Sequence, residues 1–106
     1  MSEPTAATLQ IRAALQQQES RVAELLRQYG ATNPRLFGSV ARGDAREDSD
    51  LDLLVDLSAG AGNELLRVAG LAEELTGILG VRVDVVAATL LRDEVSATAF
   101  ADAVTV

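Results

Sequence analysis

Two short apolar runs constrain this chain more than any other feature. Leu51-Asp52-Leu53-Leu54-Val55-Asp56-Leu57 and Val81-Arg82-Val83-Asp84-Val85-Val86 are rich in branched residues and carry carboxylates between apolar neighbours. Side chains alternate faces along an extended strand. Read as strands, the first sets Leu51, Leu53 and Val55 on one face and Asp50 and Asp52 on the other. The second sets Val81, Val83 and Val85 on one face and Arg82 and Asp84 on the other. Both strands thus bury one face and place carboxylates on the opposite one.

Helices must cover the apolar face. Ile11, Leu15, Val22, Leu26 and Tyr29 fall near spacings of four and seven, which predicts one helix from about Thr8 to Gly30. Arg27 in its last turn suits the helix dipole. Residues 1–7 are small and polar and are expected to fray. Asn33-Pro34 then punctuates the chain, before a short strand Arg35-Leu36-Phe37 leads into Gly38-Ser39. Val40–Ser49 reads as a helical turn and loop, and Ser58–Gly62 as a loop. Asn63 can cap a helix running to about Leu79, with Leu65, Val68, Ala72, Leu75 and Leu79 as its apolar stripe and Gly80 as its stop. Thr89 is placed to cap a last helix to about Phe100, and Val104–Val106 to add an edge strand. The expected fold class is α/β, a small sheet layered with helices. At 106 residues, 48% of them hydrophobic, the chain suits a single domain, residues 1–106. Tyr29, Phe37 and Phe100 are its only aromatics, so Leu, Val and Ala must build the core.

The same composition narrows the chemistry. Cysteine, histidine and lysine are all absent. That excludes disulfides, thiolate zinc sites, Ser-His-Asp triads, histidine general bases, the P-loop lysine and Schiff-base chemistry. Carboxylates, hydroxyls, arginines and backbone amides remain, and carboxylates prefer hard cations such as magnesium. A net charge of −7 repels a nucleic-acid backbone, so no direct nucleic-acid binding is expected, and a phosphate ligand needs a cation beside it. No apolar run reaches membrane-span length, and Ser2–Gln18 is too polar for a signal peptide, so the expected location is cytoplasmic, with no membrane partner.

Asp50 and Asp52 lie about 6.5–7 Å apart along one face of a strand. Two carboxylates at that spacing can serve ions about 3.5–4 Å apart, as in two-metal phosphoryl transfer. If the two strands are neighbours, Asp84 joins them. Three bare carboxylates on one patch repel by several kcal/mol unless a cation sits among them. Gly38 permits close backbone approach to a ligand, and the Ser39 hydroxyl with the turn amides can donate to phosphate oxygens. Arg42 and Arg46 can add charge-assisted contacts. A calcium loop would want Gly where Leu53 stands and Glu where Ala59 stands. Asp44, Glu47, Asp48 and Asp56 read as loop solvation and turn chemistry.

The stretch Leu36-Phe37-Gly38-Ser39-Val40-Ala41-Arg42-Gly43, ten residues between Ser39 and Asp50, and then Asp50-Leu51-Asp52-Leu53-Leu54-Val55 resemble the polymerase-beta-type nucleotidyltransferase superfamily. Asp84 in Val83-Asp84-Val85-Val86 matches the third carboxylate of that pattern. The resemblance runs from about Leu25 to Val86 and looks most like the minimal nucleotidyltransferases, the MNT antitoxins that accompany HEPN-domain toxins. It implies a small mixed, twisted sheet with helices on one face and the active site on the other. It also implies two magnesium ions held by Asp50, Asp52 and Asp84. ATP would be bound with its phosphates at Gly38 and Ser39 and an added contact from Arg42. AMP would pass to a tyrosine of the HEPN partner, in a hetero-oligomer. Two other readings stand beside this one: an antitoxin acting by contact alone, and a small-molecule nucleotidyltransferase. Larger relatives carry a second, acceptor-binding domain, so the acceptor here is expected to be another macromolecule. Ala87–Arg92 and the tail Val104–Val106 depart from the typical pattern.

Overall fold

The computed structural model describes residues 3–60, 62–90 and 104–105. The chain forms α1 (Ala6–Gln17), α2 (Glu19–Gln28), β1 (Ala31–Phe37), α3 (Gly38–Arg42), β2 (Leu51–Leu57), α4 (Glu64–Leu79), β3 (Val83–Ala87), a 3-10 turn (Ala88–Leu90) and β4 (Val104–Thr105). The strands form one mixed sheet in the order β3-β2-β1-β4. β1 runs antiparallel to both β2 and β4, while β2 and β3 are parallel, joined by the crossover through α4.

Alternation along the strands decides which face is covered. Leu51, Leu53 and Val55 of β2 are buried together with Leu36 of β1 and Val83 of β3. Against them pack Leu71, Leu75 and Leu79 of α4, Ile11 of α1, and Val22 and Leu26 of α2. The carboxylates Asp52 and Asp84 take the alternate positions. Leu54, which shares their parity, is also buried. This is the mixed sheet with helices on one face that the family resemblance implies.

Four expectations change. The single N-terminal helix is two, broken at Gln18, whose backbone (φ −103°, ψ 18°) leaves the helical region. Gln16–Arg21 is polar throughout, so no buried side chain holds a common axis across it. The helix also starts earlier than Thr8. Thr5 caps it, its hydroxyl accepting from the Thr8 N–H, so the expected fraying of residues 1–7 does not extend to residues 5–7. Asn33-Pro34 lies inside β1 rather than before it. The register with β2 shifts between Thr32 and Arg35, and Asn33 adopts φ 51° there. A bulge accommodates both residues, since Asn tolerates that conformation and Pro has no N–H to pair.

The stripe of α4 is rotated from the one expected. Its buried positions are Arg67, Val68, Leu71, Leu75 and Leu79, while Leu65 is 65% exposed in the first turn. The caps agree with the sequence: the Asn63 side chain accepts from the Leu66 N–H, and Gly80 ends the helix at φ 72°. β3 begins at Val83, and Val81 packs at the margin of the core. The last helix expected from Thr89 lies outside the described residues beyond the 3-10 turn. No helix among the described residues is long and apolar enough to cross a membrane.

Candidate active site

The carboxylates meet because of strand register. β2 and β3 are parallel neighbours, and Asp52 stands directly opposite Asp84. The Leu51 N–H donates to the Arg82 carbonyl at 2.8 Å, which extends the pairing to the residues just before β3. Thr76 of α4 steadies the entry to β3: its hydroxyl donates to the Ala72 carbonyl at 2.7 Å and accepts the Val83 N–H at 3.0 Å. A mid-helix threonine gave no sequence signal for that role. Asp50, one residue ahead of β2, lies close enough to Asp84 to raise that residue's proton affinity.

The charges record the crowding. Asp52 is half-buried, and its carboxyl is raised above the ordinary 3.8, first by desolvation and then by the charges of Asp84 and Asp50, with Arg42 opposing. Asp84 is raised by desolvation, by its hydrogen bond with Asp50 and by that residue's charge, with Arg82 opposing. The same groups that repel each other would share a cation favourably. Among the described residues no three carboxylates converge into a ready-made cation cage. The donor set itself is anionic oxygen throughout, the kind that magnesium takes.

The glycine-serine turn closes on this cluster from β1. Phe37, the last residue of β1, pairs with Asp52, so Gly38 follows immediately beside that carboxylate. Gly38 has φ +73°, and a Cβ there would collide with Asp52 Oδ2. Only glycine lets the backbone pass so close to the carboxylate. Ser39 is the second residue of the short helix α3, and its carbonyl accepts the N–H groups of Gly43 and Asp44, both at 3.0 Å.

The structure separates the two arginines that the sequence offered. Arg42 lies at the edge of the cluster. Its Nε donates to Asp44 at 3.4 Å, and its charge acts on Asp52. Arg46 lies elsewhere. It lines a cavity of about 370 Å³ with Ile11 and Ala14 of α1 and Leu79 and Val81 beyond, on the helical side of the sheet. Asp56 is likewise remote from the cluster and pairs with Arg35 at 2.8 Å.

Comparison with known proteins places the chain in a family. The model of the nucleotidyltransferase domain matches residues 15–105. The chain belongs to the nucleotidyltransferase domain family. Protein adenylyltransferase MntA of Thermococcus cleftensis is 39% identical over 81 residues, spanning 76% of this chain and 80% of the relative. A solved minimal nucleotidyltransferase is 43% identical, covers 87% of this chain and 92% of its own, and superposes with a TM-score of 0.73. A toxin–antitoxin structure with AMP-PNP shares the fold at 22% identity and a TM-score of 0.68, over 82% of this chain and 70% of its own. The protein is a nucleotidyltransferase of the minimal type, as its Gly-Ser and Asp-x-Asp spacing predicts.

Proposed function

We propose that this nucleotidyltransferase binds ATP with two magnesium ions at Asp50, Asp52 and Asp84. In this reading it transfers AMP to a tyrosine of a HEPN-domain toxin and thereby acts as that toxin's antitoxin. One observation carries the site: Asp84 faces Asp52 in register across β2 and β3, with the Gly38 turn closed on Asp52. The protein acceptor is supported by the likeness to the adenylyltransferase of Thermococcus cleftensis. The toxin as acceptor rests on the sequence resemblance to MNT antitoxins.

Magnesium bound there would neutralise the triphosphate and favour the ionised form of the attacking hydroxyl. The chain's own groups do the rest. Gly38 brings the backbone close, and Ser39 with its turn amides donates to the phosphate oxygens beyond the α-phosphorus. Arg42 adds a charge-assisted contact from the rim. Asp50 and Asp52 would hold the cations that neutralise the triphosphate. Asp84 faces the acceptor side in this reading, where its carboxylate can accept the hydroxyl proton. The acceptor oxygen bonds to the α-phosphorus as the bond to the bridging oxygen breaks, and pyrophosphate leaves.

The test is incubation with labelled ATP, magnesium and the purified toxin. Label on a toxin tyrosine, lost with chelator, is the expected result. A tight complex that silences the toxin with no mass shift would replace this reading with a contact-only antitoxin. Label on a small hydroxyl compound but never on protein would make the chain a small-molecule enzyme.

A further inference from the structure

The loop that links the glycine-serine turn to Asp50 is tied down by a pair of threonines that take no part in binding. Thr8, on α1, is completely buried. Its hydroxyl accepts the Ala45 N–H at 3.0 Å and lies 2.8 Å from the Thr5 hydroxyl. The Thr5 hydroxyl in turn donates to the Ala45 carbonyl. A hydroxyl has one proton to give. That of Thr5 goes to Ala45, so Thr8 must donate to Thr5, and its lone pair is then free for the Ala45 N–H. The hydrogen-bond ring closes with every direction fixed, and both polar groups of Ala45 are held by it. Two further bonds act on the same segment. The Thr5 N–H donates to the Gly43 carbonyl at 2.9 Å, and Arg12 donates to the Val40 carbonyl at 3.0 Å.

We propose that Thr5 and Thr8 are positioning residues for nucleotidyl transfer. They fix the loop after α3, and with it the distance between the phosphate-binding turn at Gly38-Ser39 and the carboxylate of Asp50. The loop between α3 and β2 is short of apolar anchors. Ala45 is its buried hydrophobic residue, and α1 meets the loop there. A helix that packs the core with Ile11 thus holds the loop leading to Asp50 with its first turn. The inference rests on the assignment of Gly38, Ser39 and Asp50 to the active site made above.

The experiment compares Thr8→Val, Thr8→Ser, the core control Val22→Ala and the site control Asp52→Asn in the full chain. It measures KM for magnesium-ATP, kcat and amide hydrogen exchange over residues 38–50, well below each melting temperature. Val keeps the shape of Thr and loses the hydroxyl, whereas Ser keeps the hydroxyl. Thr8→Val is expected to lower kcat/KM about tenfold and to speed exchange at Ala45. Thr8→Ser should restore both to within about twofold, and Val22→Ala should lose stability with kcat/KM unchanged. A Thr8→Val protein that melts earlier but keeps its kcat/KM would make the threonines merely structural and overturn the proposal. If Asp52→Asn retained transfer, the site assignment itself would be at fault. Loss with Asp52→Asn but not with Thr8→Val would sink the positioning role alone.

Discussion

Asp52 is half-buried with Asp84 opposite it and Asp50 close by, an arrangement that costs the metal-free protein stability. The sign follows from linkage. Asp52 and Asp84 both hold their protons more tightly when folded than the ordinary 3.8. Between that value and the raised folded one, the native state binds more protons than the unfolded chain, so stability falls as pH rises through the window. The melting temperature of the metal-free protein should therefore rise as pH falls from neutral toward 4, and Asp52→Asn should flatten that slope. Asp52→Asn should also abolish transfer without lowering the melting temperature at pH 7. A sharp drop would show the carboxylate to be structural. Ser39→Ala tests the other half of the site. Losing one hydrogen bond to a charged phosphate costs about 1.5–3 kcal/mol, so ATP affinity measured by calorimetry should weaken by roughly ten- to a hundredfold with little change in melting. These residues were legible in the sequence because their chemistry depends on residue type and spacing. Thr8 and Thr76 were not, since a buried threonine's partner is set by tertiary contact alone.

At the scale of elements, what could be read depended on which force held each one. β2, β3 and the span of α4 follow from alternation and caps, which are local signals. The break at Gln18 and the bulge at Asn33-Pro34 are settled by how the pieces dock. Arg67 shows the same limit. On a helical wheel it is one more charge, yet it lies buried on α4 and donates to the carbonyls of Tyr29, Gly30 and Ser58 at 2.9–3.1 Å, with a further bond to the Ser58 hydroxyl at 3.2 Å. It ties the turn between α2 and β1 to the end of β2. Arg67→Met removes the donor to the Tyr29 and Ser58 carbonyls, each loss costing about 1–3 kcal/mol, while the Gly30 carbonyl keeps the Ser58 N–H. Urea denaturation should show a loss of about 3 kcal/mol or more, with the transfer rate per folded molecule unchanged. Gly38→Ala acts on a different element and should do the reverse. The left-handed backbone costs an alanine about 1–2 kcal/mol, but the displaced Asp52 should remove nearly all transfer. A Gly38→Ala protein with full activity would mean that the turn does not need to lie against Asp52.

For the whole molecule, the question is which hydroxyl the active site can serve. The chain has a single tyrosine, and the fold places it out of reach. Tyr29 precedes β1 at the end where Ala31 pairs with Leu57, whereas the carboxylates flank the other end, where Phe37 pairs with Asp52. Six strand steps at about 3.3 Å separate the two ends by roughly 20 Å. The Tyr29 hydroxyl is also engaged, donating to Glu74, while the ring lies against Gly70. Glu74 and the nearby Glu73 hold its proton more firmly than usual, which makes it a poor nucleophile. The protein should therefore not modify its own tyrosine, and Tyr29→Phe should leave transfer to a partner unchanged. In the proposed reaction the partner brings its tyrosine to the open face of the sheet, beside Asp84. With Asp84 serving the acceptor as proposed, Asp84→Asn should still bind ATP yet transfer nothing. Co-expression with the toxin followed by intact-mass analysis checks all three statements. An AMP-sized adduct should appear on the partner with the native chain and with Tyr29→Phe, and vanish with Asp84→Asn. An adduct on Tyr29 itself would show that a second copy of the chain presents its far end to the active site, and the acceptor would then have to be sought within the protein.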